Sequence, residues 1–191
     1  MKTHPQEQAK SLVQTGKQTR KRSSVVETIR FAAGKCSLGL VLVAASEKGV
    51  CFLSLGEDRA ALLRELEHDF PHAGLAAADQ GFDAALAAVI RFVENPRSGW
   101  KLPLDLRGSA FQHRVWQALS EIPAGSTMTY AAIAERIEAP KAVRAVGSAC
   151  AANKISVIIP CHRAVRVDGS LAGFRWGLER KRALLEKEAV A

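Results

Sequence analysis

Leu38–Ala45 is an eight-residue apolar run (LGLVLVAA), Glu47-Lys48-Gly49 follows as a turn signal, and Val50–Leu55 resumes the apolar pattern. Two β-forming runs joined by a glycine-bearing turn predict a hairpin. Val25–Ala32, also rich in β-formers, adds a third strand, so a short antiparallel meander is expected at the start of the folded chain. Two amphipathic helices should follow it. Residues 58–70 carry Leu62, Leu63, Leu66 and Phe70 on one face before Pro71, and residues 82–94 end at Asn95-Pro96. Gly99–Leu106 reads as a linker with a short strand.

The second half changes character. Ser109 and Gln112 form a capping box that opens a helix over Ala110–Leu119, with Phe111, Val115, Trp116 and Leu119 as its apolar stripe. After the turn Ile122-Pro123-Ala124-Gly125, Thr127 or Thr129 can cap a short helix reaching Ile137. Glu138-Ala139-Pro140 is another turn, and Pro140 suits entry into a helix over Lys141–Ala152. Two short helices about a tight turn suggest a helix-turn-helix. An apolar strand at Ser156–Ile159, a turn at Val167–Ser170 and a last helix over Leu178–Ala189 complete the pattern.

Charge sharpens the division. Residues 1–24 are net +5, residues 25–105 net −3 and residues 106–191 net +6, for +8 in all. Basic surfaces attract polyanions, although basic residues also simply solubilise a surface. Residues 1–24, with Arg20-Lys21-Arg22, read as a mobile tail, either a phosphate-contacting arm or an inert leader. No run approaches the roughly 18–20 apolar residues that span a bilayer, and the first ten residues lack the apolar stretch of a secretory signal. Cys36, Cys51, Cys150 and Cys161 have neither CxxC nor zinc spacing, so neither a metal site nor a disulfide framework is expected, and the compartment should be reducing.

Two segments bear on chemistry. The helix from Lys141 is crowded with small residues, Ala142, Ala145, Gly147, Ser148, Ala149, Ala151 and Ala152, and offers only Lys141 and Arg144 as polar readers. Such a helix could lie close in a narrow groove with little sequence preference, or pack tightly in a core. The other segment runs from Asn153 to Arg163. Pro160 restricts Ile159 to extended backbone and delivers Cys161 beside His162, with Arg163 and Arg166 adding positive charge. A cysteine with a nearby imidazole base is the minimal activated thiol, and a water could bridge the two; an incidental pairing of buried residues gives the same dipeptide.

Pro160-Cys161-His162-Arg163 after an isoleucine-rich stretch resembles the signature of the O6-alkylguanine-DNA alkyltransferases. Asn153 lies eight positions before the cysteine, Arg144 seventeen, Tyr130 thirty-one, and Glu188 twenty-seven after it, each where that family has the same residue. The similarity runs from about Val25 to the carboxyl end. The segments Ala151–Lys154, Ile158–Arg163 and Gly173–Gly177 are most like the Ada-type bacterial members, whose Lys matches Lys154 where many members have Pro.

The resemblance implies an α+β chain in two domains. Residues 25–105 would form a small ribonuclease-H-like unit, and residues 106–191 a mostly helical unit with a winged helix-turn-helix. It implies a single-use repair protein that extrudes an O6-alkylguanine from double-stranded DNA, because the O6 substituent is out of reach inside the stack. Cys161 would accept the alkyl group, His162 would take its proton through a water, and Glu188 would orient His162. Asn153 would hold the active-site turn, and Tyr130 would aid extrusion and serve the departing guanine. Arg144 would fill the vacated stack. Lys141, Ala145, Ser148 and Ala151 would line the minor groove without sequence preference. Ala164, Phe174 and Arg175 would meet the base; some members carry Ser at the position of Arg175. Trp176 is a further wall of the pocket or plain core, and Lys181 either matches a family lysine near the site or belongs to a solvated charge run with Arg180 and Arg182.

No cofactor and no metal are implied. His4, His68, His72 and His113 do not pair with suitably spaced cysteines, and residues 1–24 are too short for the cysteine-rich sensor domain of full-length Ada-type proteins. A cytoplasmic bacterial monomer is expected. A lesion-binding module without catalysis, and a turnover Cys-His hydrolase, are the competing readings.

Overall fold

The structure, a computed structural model, describes residues 26–78 and 82–190; the basic tail expected over residues 1–24 lies outside them. Three strands open the fold, β1 (Thr28–Cys36), β2 (Gly39–Ser46) and β3 (Gly49–Gly56), antiparallel in sequence order as the hairpin signals predict. Helix α1 (Arg59–Asp69) is capped by Asp58, whose carboxylate accepts the Ala60 and Ala61 N–H groups. The expected meander lacked one element. After α1 the chain returns as β4 (Gly74–Ala77) and pairs parallel to β1, giving a four-stranded sheet ordered β3-β2-β1-β4. Gly-Leu-Ala-Ala is too short to show an alternation, which is why the sequence gives no sign of it.

β2 is buried on both faces. Val41 and Val43 join the core shared with the second half of the chain, and Leu42 and Ala44 join a smaller cluster with Ile29, Phe52, Leu62, Leu66 and Phe70 beneath α1. A strand covered on both sides needs apolar residues throughout, and the unbroken run Leu38–Ala45 supplies them. Helix α2 (Asp83–Glu94) covers the opposite face from α1 with Val89, Phe92 and Val93. Residues 99–106 form no strand of their own; only an isolated bridge joins Leu104 to Val50.

Helix α3 (Ala110–Ser120) begins at the capping box, with both the Ser109 and Gln112 bonds present. Thr129 caps α4 (Tyr130–Arg136), and α5 (Val143–Ala151) follows a 3-10 turn over Pro140–Ala142. The lone pair Met128–Thr129 (β5) lies parallel to Ala164–Val165 (β6). Trp116 on α3 donates its indole N–H to the Ala149 carbonyl on α5 at 2.8 Å, locking those helices together. The last helix, α6 (Leu178–Val190), buries Leu184, Lys181 and Glu188. One contiguous apolar core runs from β2 and β3 through α2, α3, α4 and α5 to Leu184, so the sheet stands directly behind the helices that carry the site.

Candidate active site

The segment before Cys161 is not the strand its apolar residues suggest. Asn153 folds it into a turn. Its side-chain amide donates to the Ile159 carbonyl at 2.9 Å, its side-chain oxygen accepts the Ile155 N–H at 3.0 Å, and its carbonyl accepts the Ser156 hydroxyl at 3.1 Å. Ser156 and Ile159 face each other across the turn. Val157 between them has φ +76°, a conformation that a β-branched residue occupies only under constraint. The backbone turns again at Pro160, and Cys161–Arg163 form one 3-10 turn. The rigid delivery of Cys161 predicted from Pro160 therefore comes from the Asn153 clamp rather than from an extended strand.

That turn, with Glu188 from α6, puts three catalytic-type side chains in the interior. Cys161 is 6 % exposed, His162 0 % and Glu188 0 %. The His162 Nε2–H donates to Glu188 Oε1 at 2.8 Å. With Nε2 bonded, Nδ1 is the ring atom left with its lone pair, and it has no hydrogen-bond partner among the described residues. The Cys161 thiol lies 3.6 Å from the Ser156 hydroxyl. Burial pushes its pKa above the usual 9.0, against the pull of the Ser156 and Asn153 side chains and the Lys181 charge. Burial likewise lowers His162 below 6.5, opposed by Glu188, so the imidazole is a neutral base. For Glu188 burial raises the pKa, but the His162 and Arg163 bonds outweigh it and hold the carboxyl at about 2.

Arg163 is the residue the sequence undervalues. Its expected role was to add positive charge beside the thiol. Instead its guanidinium is spent on Glu188, with Nε 3.0 Å from Oε2 and Nη2 2.8 Å from Oε1, and its Nη1 donates to the Ile122 carbonyl. A buried carboxylate needs such a partner to stay ionised. Nothing in a Cys-His-Arg tripeptide signals this, because the partner lies 25 residues on.

A cavity of about 610 Å³ opens over Cys161. Tyr130, Arg144, Ala151, Cys161, Phe174 and Arg175 of the predicted set line it, together with Cys150, Ser156 and Arg166, which sequence reasoning did not place there. Lys141, Ala145 and Ser148 do not line it. They share the exposed face of α5 and its entry turn with Arg144 and Ala151, at helical spacing. Ala164 does not line it either: it is fully buried, and its carbonyl accepts Lys181 Nζ at 2.6 Å. Lys181 is a buried cation rather than part of a solvated run, with a second bond to the Ala172 carbonyl at 2.8 Å and its ammonium 5.9 Å from the Tyr130 ring centre. Burial, with Cys150 and Cys161 nearby, pushes the Tyr130 hydroxyl up to about 12, so it stays a donor at neutral pH.

The far wall is pinned by the sheet side of the molecule. Trp176 is buried and donates to the Ser54 hydroxyl at 3.0 Å, while Phe174 stands edge-on between Trp176 and His162. Arg175 and Lys154 both pair with Asp69 at the end of α1, at 3.3 and 3.4 Å. Among the described residues no group of three or more His, Cys, Asp or Glu side chains gathers that could hold a metal ion, and no helix is long and apolar enough to cross a membrane.

Residues 110–190 match the family model described as the DNA-binding domain of 6-O-methylguanine DNA methyltransferase. The chain is 52 % identical over 161 residues to the bifunctional transcriptional activator/DNA repair enzyme Ada of Escherichia coli, covering 84 % of this chain and 46 % of that protein. It is 37 % identical over 150 residues to the inducible methylated-DNA–protein-cysteine methyltransferase of Bacillus subtilis, covering 78 % of this chain and 84 % of that one. It spans about half the length of the Ada proteins of E. coli and Salmonella typhimurium. Among solved structures it is similar to Mycobacterium tuberculosis OGT in complex with DNA, with 34 % identity and a TM-score of 0.67 over 85 % of this chain and 92 % of that one. By identity and coverage together, the chain belongs to the methylated-DNA–protein-cysteine methyltransferase family.

Proposed function

We propose that this protein repairs O6-alkylguanine in double-stranded DNA by moving the alkyl group irreversibly onto Cys161. The observation that carries this reading is a buried thiol at the floor of an open cavity, beside a His–Glu pair that leaves one imidazole nitrogen free. His162 Nδ1 takes the Cys161 proton through a water, and Glu188 stabilises the imidazolium that results. The sulfur then attacks the alkyl carbon, the carbon–O6 bond breaks, and its electron pair leaves with guanine. Tyr130, a hydroxyl donor on the cavity wall, supplies a proton or hydrogen bond to the departing base. A thioether has no easy leaving group, so each molecule acts once.

Access requires extrusion, since the base edge must reach a thiol that is only 6 % exposed. The exposed face of α5, with Lys141, Arg144, Ala145, Ser148 and Ala151, suits close approach to the minor groove. In this reading Arg144, at the cavity mouth, enters the stack in place of the base. Contact is made chiefly to phosphates and is therefore sequence-tolerant and salt-sensitive. The finer architecture follows the same reading: a ribonuclease-H-like unit over residues 25–105, and a winged helix-turn-helix unit over residues 106–191 in which α4 and α5 are the paired helices. The protein would act as a monomer in the bacterial cytoplasm, without cofactor or metal.

Intact-protein and peptide mass spectrometry after mixing with duplex DNA carrying one O6-methylguanine tests it. One methylene's mass gained stoichiometrically on the Cys161 peptide, with guanine restored, is the expected result. Retained lesion binding without a mass change would instead establish a non-catalytic lesion-binding module. Multiple turnovers on an ester would establish a Cys-His hydrolase.

A further inference from the structure

Glu188 is gripped at both ends of its residue. Its carboxylate takes His162 and Arg163, as described, and also the Gly125 N–H at 3.3 Å. Its backbone carbonyl accepts Arg97 Nη2 at 2.9 Å. Arg97 belongs to the 3-10 turn Pro96–Ser98 after α2, on the sheet-bearing side of the molecule, 91 residues away in sequence. The last four carbonyls of a helix have no partner within it, and Glu188 lies in the last turn of α6. A guanidinium there satisfies one of them and complements the negative end of the helix dipole. Gly125 closes the same spot. Its φ is +83°, and a Cβ would stand 3.1 Å from the Glu188 carbonyl oxygen and 3.3 Å from Arg97 Nη2, so a side chain there would be strained and would press on this junction by a few tenths of an ångström.

We propose that Arg97 is a positioning residue for the alkyl-transfer site: it holds the last turn of α6, and through it the Glu188 carboxylate that orients His162. Helix ends fray, and a group on a terminal turn shares that motion. Glu188 sits two residues from the end of α6, yet the reaction needs its carboxylate fixed against one imidazole nitrogen. Arg97 removes the motion from outside the helix. The adjacent residue provides an internal comparison. Lys187 pairs with Glu94 at 2.8 Å and joins the same two segments without touching Glu188. Were Arg97 only a tether, losing either contact would have the same consequence.

The rate measurement rests on the alkyl-transfer reading; the spectroscopic one does not. Arg97→Ala, Arg97→Lys and Lys187→Ala would be compared with the parent protein at a temperature where all are folded. Single-turnover methyl transfer from duplex O6-methylguanine should slow about 10-fold or more in Arg97→Ala, because small displacements of a catalytic group are costly. Binding to the lesion duplex, measured in the Cys161→Ala background, should stay within about twofold. Arg97→Lys should recover most of the rate. Lys187→Ala should lower thermal stability and leave the rate unchanged. In NMR spectra of the DNA-free protein, the low-field His162 Nε2–H resonance should be sharp in the parent and Lys187→Ala proteins and broadened or lost in Arg97→Ala. A transfer rate within twofold of the parent together with a sharp resonance in Arg97→Ala would overturn the proposal. A parent protein that transfers no methyl would overturn the function instead, and the resonance would still decide the role of Arg97.

Discussion

Replacing Asn153 with Ala separates the turn that presents Cys161 from the rest of the fold. The substitution removes two buried bonds, to the Ile159 carbonyl and from the Ile155 N–H. The two losses differ. Ile159 keeps a partner, since its carbonyl also accepts the Cys161 N–H at 2.8 Å, so that bond costs about 0.5–1.5 kcal/mol. Ile155 is 2 % exposed, and its N–H is left without that acceptor, a penalty of about 1–3 kcal/mol. Together the loss is roughly 1.5–4.5 kcal/mol, which for a chain of this size lowers the melting temperature by about 3–18 °C. The chemical step should suffer more than stability does. Val157 holds φ +76° because the clamp keeps the turn closed, and without the clamp it can relax to ordinary backbone. A shift of about 1 Å in the thiol is enough to slow transfer about 100-fold. Chemical denaturation gives the first quantity and single-turnover transfer at 25 °C the second. A midpoint unchanged and a rate within twofold would refute the reasoning, and would leave the Leu53–Lys154 backbone bond, at 2.8 Å, as what holds the turn.

Three further outcomes follow from the geometry. Arg144→Ala should slow repair in duplex DNA at least 10-fold more than reaction with free O6-benzylguanine, because only the duplex has a stack to fill; equal losses on the two substrates would remove Arg144 from that role. Glu188→Gln leaves the buried Arg163 without its counter-charge and should cost about 3–5 kcal/mol at neutral pH. The folded pKa of Glu188, about 2, lies below its usual 4.5, so its contribution is whole above about 4.5 and is lost as pH falls through about 2; acid titration of both proteins should show their stabilities converging at the acid end. Transfer by the parent protein should be independent of pH from 6.5 to 9, because burial moves His162 below that window and the thiol above it, and an acid limb near 6.5 in single-turnover rates would contradict a buried neutral base.

How far the sequence could be read depends on whether a feature is local. The β-hairpin, the Thr129 cap and the Ser109–Gln112 box are each written within a short stretch of neighbouring residues, and they appear where their patterns lie. β4 fails that test, since four residues at the sheet edge owe their strand state to β1 alone. Ser156–Ile159 fails in the opposite sense. Its composition is that of a strand, but one buried amide at Asn153 offers its backbone better bonds than a sheet would, and turns Val157 against its own preference. At the site, Cys161 and His162 are legible as a dipeptide, whereas Glu188 enters only through the family resemblance. Arg163 and Arg97 were beyond reach, because their roles lie in contacts with a helix end 25 and 91 residues away.

Under the proposed function, the same contacts account for how a chain with four thiols would commit one of them. Burial raises Cys51 to about 11 and Cys150 to about 12, and moves Cys161 in the same direction, so burial alone selects none. Exposure does not select either, since Cys150 lines the same cavity as Cys161. What differs is the company each sulfur keeps. Cys51 is bonded to the Ala44 carbonyl, an acceptor that favours the neutral thiol. The Lys181 ammonium favours the anion at both Cys150 and Cys161, but at Cys161 the Ser156 hydroxyl and the Asn153 side chain do so as well, and the neighbouring imidazole can take the proton without passing it to bulk solvent. A thiol whose pKa is raised by burial stays protonated at neutral pH, and so is less open to passing electrophiles. Under the proposed single use of Cys161 that restraint matters, because a stray electrophile would end the protein's function as surely as a lesion does.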